Sequence, residues 1–330
     1  MDSALSSRAL TKRYGRRTVV RDVTLQVHPG QVYALVGPNG AGKTTLIRLL
    51  SGLAFPSEGT VRLLGVDPQV HPEVRRSLGA VVEAPAAFYP WLTGRGNLRL
   101  HARLAGGVAD GRIDALLAEM ELTRDADRRV AVYSLGMRQR LGVAAALLAR
   151  PRVLLLDEPA SGMDPLSLHI VHRALQDAAR SGAAVLLSTH HLDEVVRYGD
   201  AVGIMEEGAL IDQVDLAARR GRYRVVVDDV AGAMAALETA SWTTSLTQRG
   251  GAVLVQLRES GDAARIAPTL VAAGVAVQAL SEDVFDLRGY YRDRLQAERD
   301  RRREVAQERV AARAVEAALV GDEGAGEEAP

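Results

Sequence analysis

The sequence predicts an α/β core followed by a smaller α/β module. Short apolar runs of strand length recur at Val32 to Val36, Val153 to Asp157, Ala184 to Ser188 and Ala201 to Met205. The first of them passes directly into a glycine-rich loop and then a helical segment. After Asp215 the pattern changes to shorter strands separated by apolar helices.

Residues 17 to 27 alternate loosely at period two, and Pro29-Gly30 turns the chain into Val32 to Val36. Helical spacing begins at Lys43 and runs to Leu50. From about 85 to 150 the spacing is helical again, over Gly96 to Leu104, Gly111 to Met120 and Leu135 to Ala149, so the core carries a helical insert. Behind Asp215 the order reads βαββαβ, with strands opening at Tyr223, Val253 and Val275 and helices at Ala231 to Leu237 and Ala263 to Ala273. Beyond Gly289, arginines alternate with acidic residues, which predicts a solvated helix, and the stretch from Gly321 predicts a disordered acidic tip. Division is expected at 1–217, 218–288 and 289–330. The core has no internal repeat.

Composition narrows the function classes. Of the 330 residues, 47% are hydrophobic and 25% charged, which suits a folded globular chain. The formal net charge is zero, so nothing steers the chain toward nucleic acid or anionic lipid. There are no cysteines, which excludes disulfides, thiol catalysis and Cys-ligated metals, and a cytoplasmic location is the expectation. The longest apolar run, Leu141 to Ala149, is half a membrane span, and Met-Asp-Ser-Ala-Leu lacks a basic region leading into an apolar one. Work at a membrane would need a partner that spans it.

Lysine occurs only twice, at Lys12 and Lys43, although arginine is abundant. Lys43 lies in Gly37-Pro38-Asn39-Gly40-Ala41-Gly42-Lys43-Thr44, with Thr45 following. In this spacing backbone N–H groups wrap phosphates, the lysine reaches the β- and γ-phosphates, and the hydroxyl after it binds Mg²⁺. A buried strand before the glycines and a helix after Lys43 provide the required context, with the helix dipole adding positive potential. Val153-Leu-Leu-Leu-Asp157-Glu158 is an apolar strand closing on two carboxylates, which lets Asp157 hold Mg²⁺ and Glu158 act as base toward a water.

Between these motifs stands Tyr133-Ser134-Leu135-Gly136-Met137-Arg138-Gln139, and here the chain resembles the ATP-binding cassette (ABC) family. The resemblance covers about residues 4 to 215. It implies a P-loop NTPase cassette: a RecA-like α/β core with an N-terminal β subdomain and a helical subdomain, binding ATP and Mg²⁺. Ser134 and Gly136 match the family's signature loop, which faces the γ-phosphate held by a second subunit; taken alone, Ser134 also reads as a helix N-cap. Tyr14 resembles the aromatic that stacks on adenine, or is an exposed strand tyrosine. Asp164, in Ser161-Gly-Met-Asp164, matches the loop that crosses the dimer interface. His190 matches the switch histidine that contacts the γ-phosphate and orients the water. His191 beside it reads as a surface residue.

Two positions depart from the family pattern. Glu83 stands where the family usually has Gln, at a point touching Mg²⁺ or the water, and the signature reads Ser-Leu-Gly-Met. With Tyr89-Pro-Trp-Leu-Thr, both variants resemble the bacitracin-export type that serves ABC-2-type permeases. That implies a homodimer around two ATP molecules at the inner face of the cell membrane, powering a separate permease that exports a drug, antibiotic or lipid. The module after 217, ending in Leu280-Ser-Glu-Asp-Val-Phe285, resembles that group's C-terminal extension. Phe88, Tyr89 and Trp91 mark either the permease contact or the joint between core and insert. The alternative is a soluble ABC ATPase without a membrane partner, although the single cassette and short insert argue against ribosome-acting and DNA-repair forms.

Overall fold

A computed structural model describes residues 3–82 and 88–322. Met1–Asp286 forms one unit and the chain from Leu287 a second. In the first unit, β1 (Leu5–Tyr14) and β2 (Arg17–Val27) form an antiparallel hairpin, and β3 (Val32–Val36) leads into α1 (Lys43–Leu50). Strand β4 (Glu58–Leu63) pairs with β1, giving a three-stranded sheet in the order β2-β1-β4. Next come β5 (Leu78–Val81), then α2 (Gly94–Leu104), α3 (Asp110–Glu119) and α4 (Leu135–Leu147) in the expected helical insert.

The chain returns through β6 (Val153–Leu156), α5 (Pro165–Arg180), β7 (Ala184–Thr189), α6 (Leu192–Tyr198), β8 (Ala201–Glu206) and β9 (Ala209–Asp215). A six-stranded sheet of order β5-β6-β7-β3-β8-β9 results, parallel except for β9. Its central strands are buried on both faces, which is why they read as unbroken apolar runs. Leu154 and Leu156 face one core with α2 to α5, while Val153 and Leu155 face the other with α1, β1 and β2. The carboxyl ends of β3, β6 and β7 emerge side by side, where an open α/β sheet holds its ligand.

Four further strands, β10 (Arg222–Val227), β11 (Thr243–Arg249), β12 (Ala252–Leu257) and β13 (Val277–Glu282), alternate with α7 (Val230–Glu238) and α8 (Ala263–Ala272). The antiparallel order β11-β12-β10-β13 is that of a ferredoxin-like βαββαβ unit. Val225, Val253 and Val255 pack with Leu237 and Ile266 in a core of its own.

The second unit is the long helix α9 (Leu287–Asp322). Glu298 pairs with Arg301 at 2.9 Å and with Arg302 at 2.7 Å, contacts of the i,i+3 and i,i+4 type that steady a polar helix. The acidic tip expected beyond it lies outside the described residues.

Candidate active site

An open cleft of about 330 Å³ is lined by Tyr14, Arg17, Val19, Asn39 to Thr45 and Glu158. Tyr14, at the end of β1, is half exposed, and the Lys12 ammonium lies 4.8 Å from its ring centroid. That stacked cation helps hold the ring. Arg17 and Val19 on β2 complete this wall; neither had been singled out in the sequence, because no motif marks them.

The phosphate loop joins β3 to α1. Lys43 is buried, and its Nζ donates to the carbonyl oxygens of Gly37 at 2.8 Å and Pro38 at 3.2 Å. Its own loop thus supplies the acceptors that phosphate oxygens would offer. Burial pushes the Lys43 ammonium below the ordinary lysine range, and the nearby carboxylates of Glu158 and Asp157 only partly restore it. The sign follows. Between the lowered folded value and the ordinary unfolded one, the unfolded chain binds more protons, so the nucleotide-free protein gains stability as pH rises through that window. ATP affinity should move the opposite way, falling as Lys43 loses its proton. Denaturant unfolding and ATP titration over the alkaline range, compared with Lys43→Met, would read both trends.

Asp157 follows the end of β6 and is buried between two hydroxyls. Thr44 Oγ1 donates to its Oδ2 at 2.6 Å, and Ser188 Oγ donates to its Oδ1 at 2.6 Å. Ser188 also accepts from the backbone N–H of Glu158 at 2.8 Å. Ser188, which no sequence motif marks, thus braces the Asp157 carboxylate and the Glu158 backbone together. Ser188→Ala should cost about 1–3 kcal/mol for each buried group left unpaired, measurable as a lower midpoint in denaturant.

Glu158 has φ 45°, uncommon for a residue other than glycine, and the turn aims its carboxylate into the cleft. Oε1 lies 3.9 Å from Lys43 Nζ and Oε2 lies 3.3 Å from His190 Nδ1. The structure therefore brings Lys43, Thr44, Asp157, Glu158 and His190 together. His191 is half-buried rather than a free surface residue, with its ring 4.2 Å from that of His190. Burial and the neighbouring His190 hold its pKa below the ordinary histidine value.

The remaining candidates stand apart from this cluster. Ser134 caps α4, its Oγ accepting from Met137 N–H at 3.2 Å, and Gly136 sits in the first turn. Neither lines the cleft of its own chain. Asp164 caps α5, accepting from the N–H groups of Leu166 and Ser167 at 3.0 Å each. Those bonds, led by Ser167, hold its carboxyl below the usual range. The buried Gln139 of α4 donates to Ser161 O at 2.6 Å, tying the signature helix to the segment before Asp164. Glu83 lies outside the described residues. Among the described residues no group of three or more His, Cys, Asp or Glu forms a metal cage. The oxygens of Thr44 and Asp157 nonetheless fit Mg²⁺, which prefers one or two protein oxygens beside substrate phosphates.

A loop-held lysine, a hydroxyl-braced carboxylate and a second carboxylate beside a histidine, all at the carboxyl edge of a parallel sheet, define a phosphate-loop ATPase. A family model described as ABC transporter matches residues 20–161. The chain is 36% identical over 262 residues to the bacitracin transport ATP-binding protein BcrA of Enterococcus faecalis, spanning 77% of this chain and 84% of that protein. It is 35% identical to the lantibiotic transport ATP-binding protein SrtF of Streptococcus pyogenes, over 61% of this chain and 86% of that one. A solved ATP-binding subunit of an ABC transporter superposes with a TM-score of 0.60 at 34% identity, covering 66% of this chain and 92% of that one. A cassette dimer bound to ADP and phosphate shares the fold, with a TM-score of 0.59 at 24% identity. This protein belongs to the ABC transporter family, as an ATP-binding, ATP-hydrolysing cassette similar to the bacitracin transport ATP-binding proteins.

Proposed function

We propose that this cassette powers export: two copies close around two MgATP and drive a separate ABC-2-type permease at the inner face of the cell membrane. Residues 1–217 form the nucleotide-binding domain, 218–288 an appended α/β domain and 289–330 a charged tail. One observation carries the catalytic part, the meeting of Thr44, Asp157, Glu158 and His190 beside Lys43. The likeness to bacitracin and lantibiotic transport proteins supports export as the process. Among the described residues no helix is long and apolar enough to cross a membrane, which agrees with a separate permease.

In this reading Lys43 turns from its loop carbonyls to the β- and γ-phosphates, and the loop N–H groups and the α1 dipole hold the remaining charge. Bound Mg²⁺, held by Thr44 and Asp157, would neutralise charge on the phosphate oxygens. Glu158 accepts the proton of the attacking water, and His190, against Glu158 Oε2, orients that carboxylate and contacts the γ-phosphate. Ser134 and Gly136, outside their own chain's cleft, close the site of the second copy, and Asp164 lies at the seam. Tyr14 stacks on adenine. Glu83 stands beside Mg²⁺ or the water as a tolerated equivalent of the usual Gln, so Glu83→Gln should leave ATP turnover and transport unchanged; a marked change in either would show that the two residues are not interchangeable there.

The test is affinity purification of tagged Glu158→Gln protein from gently solubilised native membranes with MgATP, followed by mass spectrometry. A stoichiometric polytopic membrane protein is the expected companion. A soluble dimer alone would overturn the export reading.

A further inference from the structure

The turn between β8 and β9 is the bed on which the phosphate loop rests, and one residue of it holds both sides. The Gly208 N–H donates to Ala41 O at 2.9 Å, and the Gly208 carbonyl accepts from Arg21 N–H of β2 at 2.7 Å. Its φ is +84°, and a Cβ there would stand 2.5 Å from Val19 O. The loop above is pressed equally close. A Cβ on Gly37 would fall 2.2 Å from Met205 O, and one on Gly42 would fall 2.6 Å from Val19 O and 3.0 Å from Met205 Cε. Residues 205–208 and β2 therefore leave the loop one position, and only a residue without a side chain fits between them.

We propose that Gly208 is a positioning residue for nucleotide binding: its paired backbone bonds set the phosphate loop against β2, the strand that carries Arg17 and Val19 of the cleft wall. The inference rests on the phosphate-loop reading above. Gly208 touches no phosphate. It acts through Ala41, whose carbonyl orientation fixes the plane of the peptide joining it to Gly42, and so the aim of the Gly42 N–H at the foot of α1. A side chain at 208 would push the turn off Val19 and pull Ala41 with it, spoiling the anion cradle while leaving Glu158 and His190 in place.

The test compares Gly208→Ala with Gly65→Ala in the full chain. Gly65 has φ +85° and open space around its would-be Cβ, so it imposes similar backbone strain away from the loop. Binding of a non-hydrolysable ATP analogue with Mg²⁺ is measured by calorimetry, with thermal unfolding of the nucleotide-free proteins alongside. Gly208→Ala should weaken the analogue on the order of 10- to 100-fold and raise KM, with turnover at saturating ATP close to the parental value. Gly65→Ala should lose stability only. Equal loss of stability in both variants, with parental affinity in both, would overturn the proposal.

Should Gly208→Ala fail to fold, amide exchange on the parental protein decides. Analogue binding should slow exchange of the Gly208 and Arg21 amides together with the loop, whereas unchanged exchange at those two amides overturns the proposal. A parental protein that binds no analogue would instead overturn the phosphate-loop reading, and this inference with it.

Discussion

Lys43→Ala is expected to lose ATP binding by about 3–5 kcal/mol, on the order of 10²- to 10⁴-fold in Kd. The magnitude follows from burial. Lys43 is 6% exposed, and in the nucleotide-free chain it satisfies the carbonyls of Gly37 and Pro38. Its removal leaves those carbonyls without their donor and leaves incoming phosphate charge uncompensated. Folding should survive, because α1 keeps Leu46, Ile47, Leu49 and Leu50 in the core. Equilibrium binding of a fluorescent ATP analogue, with circular dichroism as the folding check, decides it. Affinity like that of the parent would remove the lysine from the phosphate site.

Glu158→Gln should bind ATP as the parent does and lose turnover by about 10²- to 10⁴-fold. The amide keeps the volume and the turn at φ 45° but cannot accept the water's proton. It also removes a negative charge 3.9 Å from Lys43, so binding should hold or tighten slightly. Single-turnover hydrolysis beside equilibrium binding separates the two effects. Turnover at the parental rate would show that another group is the base, and the arrangement of His190 against Glu158 would need a different explanation.

How much of this was legible in the sequence differs from element to element. The strands β3, β6, β7 and β8 were readable because they are buried on both faces and contain almost nothing polar. Strand β1 was not, since its register shifts after Ser7 and again after Leu10, and Ala9 takes φ 48°, so alternation never settles. Strand β11 is polar and mostly exposed, and its sequence, Thr-Thr-Ser-Leu-Thr-Gln-Arg, has no apolar face to read. Helix α5 carried a plain start signal in Asp164-Pro165, an N-cap followed by proline at the first helical position.

In the site, the loop and the carboxylate pair were legible because each is contiguous in the chain. The role of Ser188 was not. It depends on the parallel register that sets Leu156 beside Leu187, and therefore Asp157 beside Ser188, across two strands joined by a long helical crossover. Gly208 is hidden for the same reason. Its partners, Ala41 and Arg21, are remote in sequence and are met through backbone groups that no residue type announces.

The scarcity of lysine gains a practical meaning from where the two side chains lie. Lys12 sits against the ring of Tyr14 at the rim of the cleft, and Lys43 forms its floor. Of the two lysine amines in this 330-residue chain, one thus lines the nucleotide cleft and the other touches a residue of its wall while donating to the Phe55 carbonyl. Amine-directed acylating reagents, which on most proteins scatter over many lysines, would here have only two lysine targets, and the label found on the Lys43 peptide would report vacant clefts. Bound nucleotide should slow labelling of Lys43 in the folded protein, because the ammonium is then engaged by phosphate.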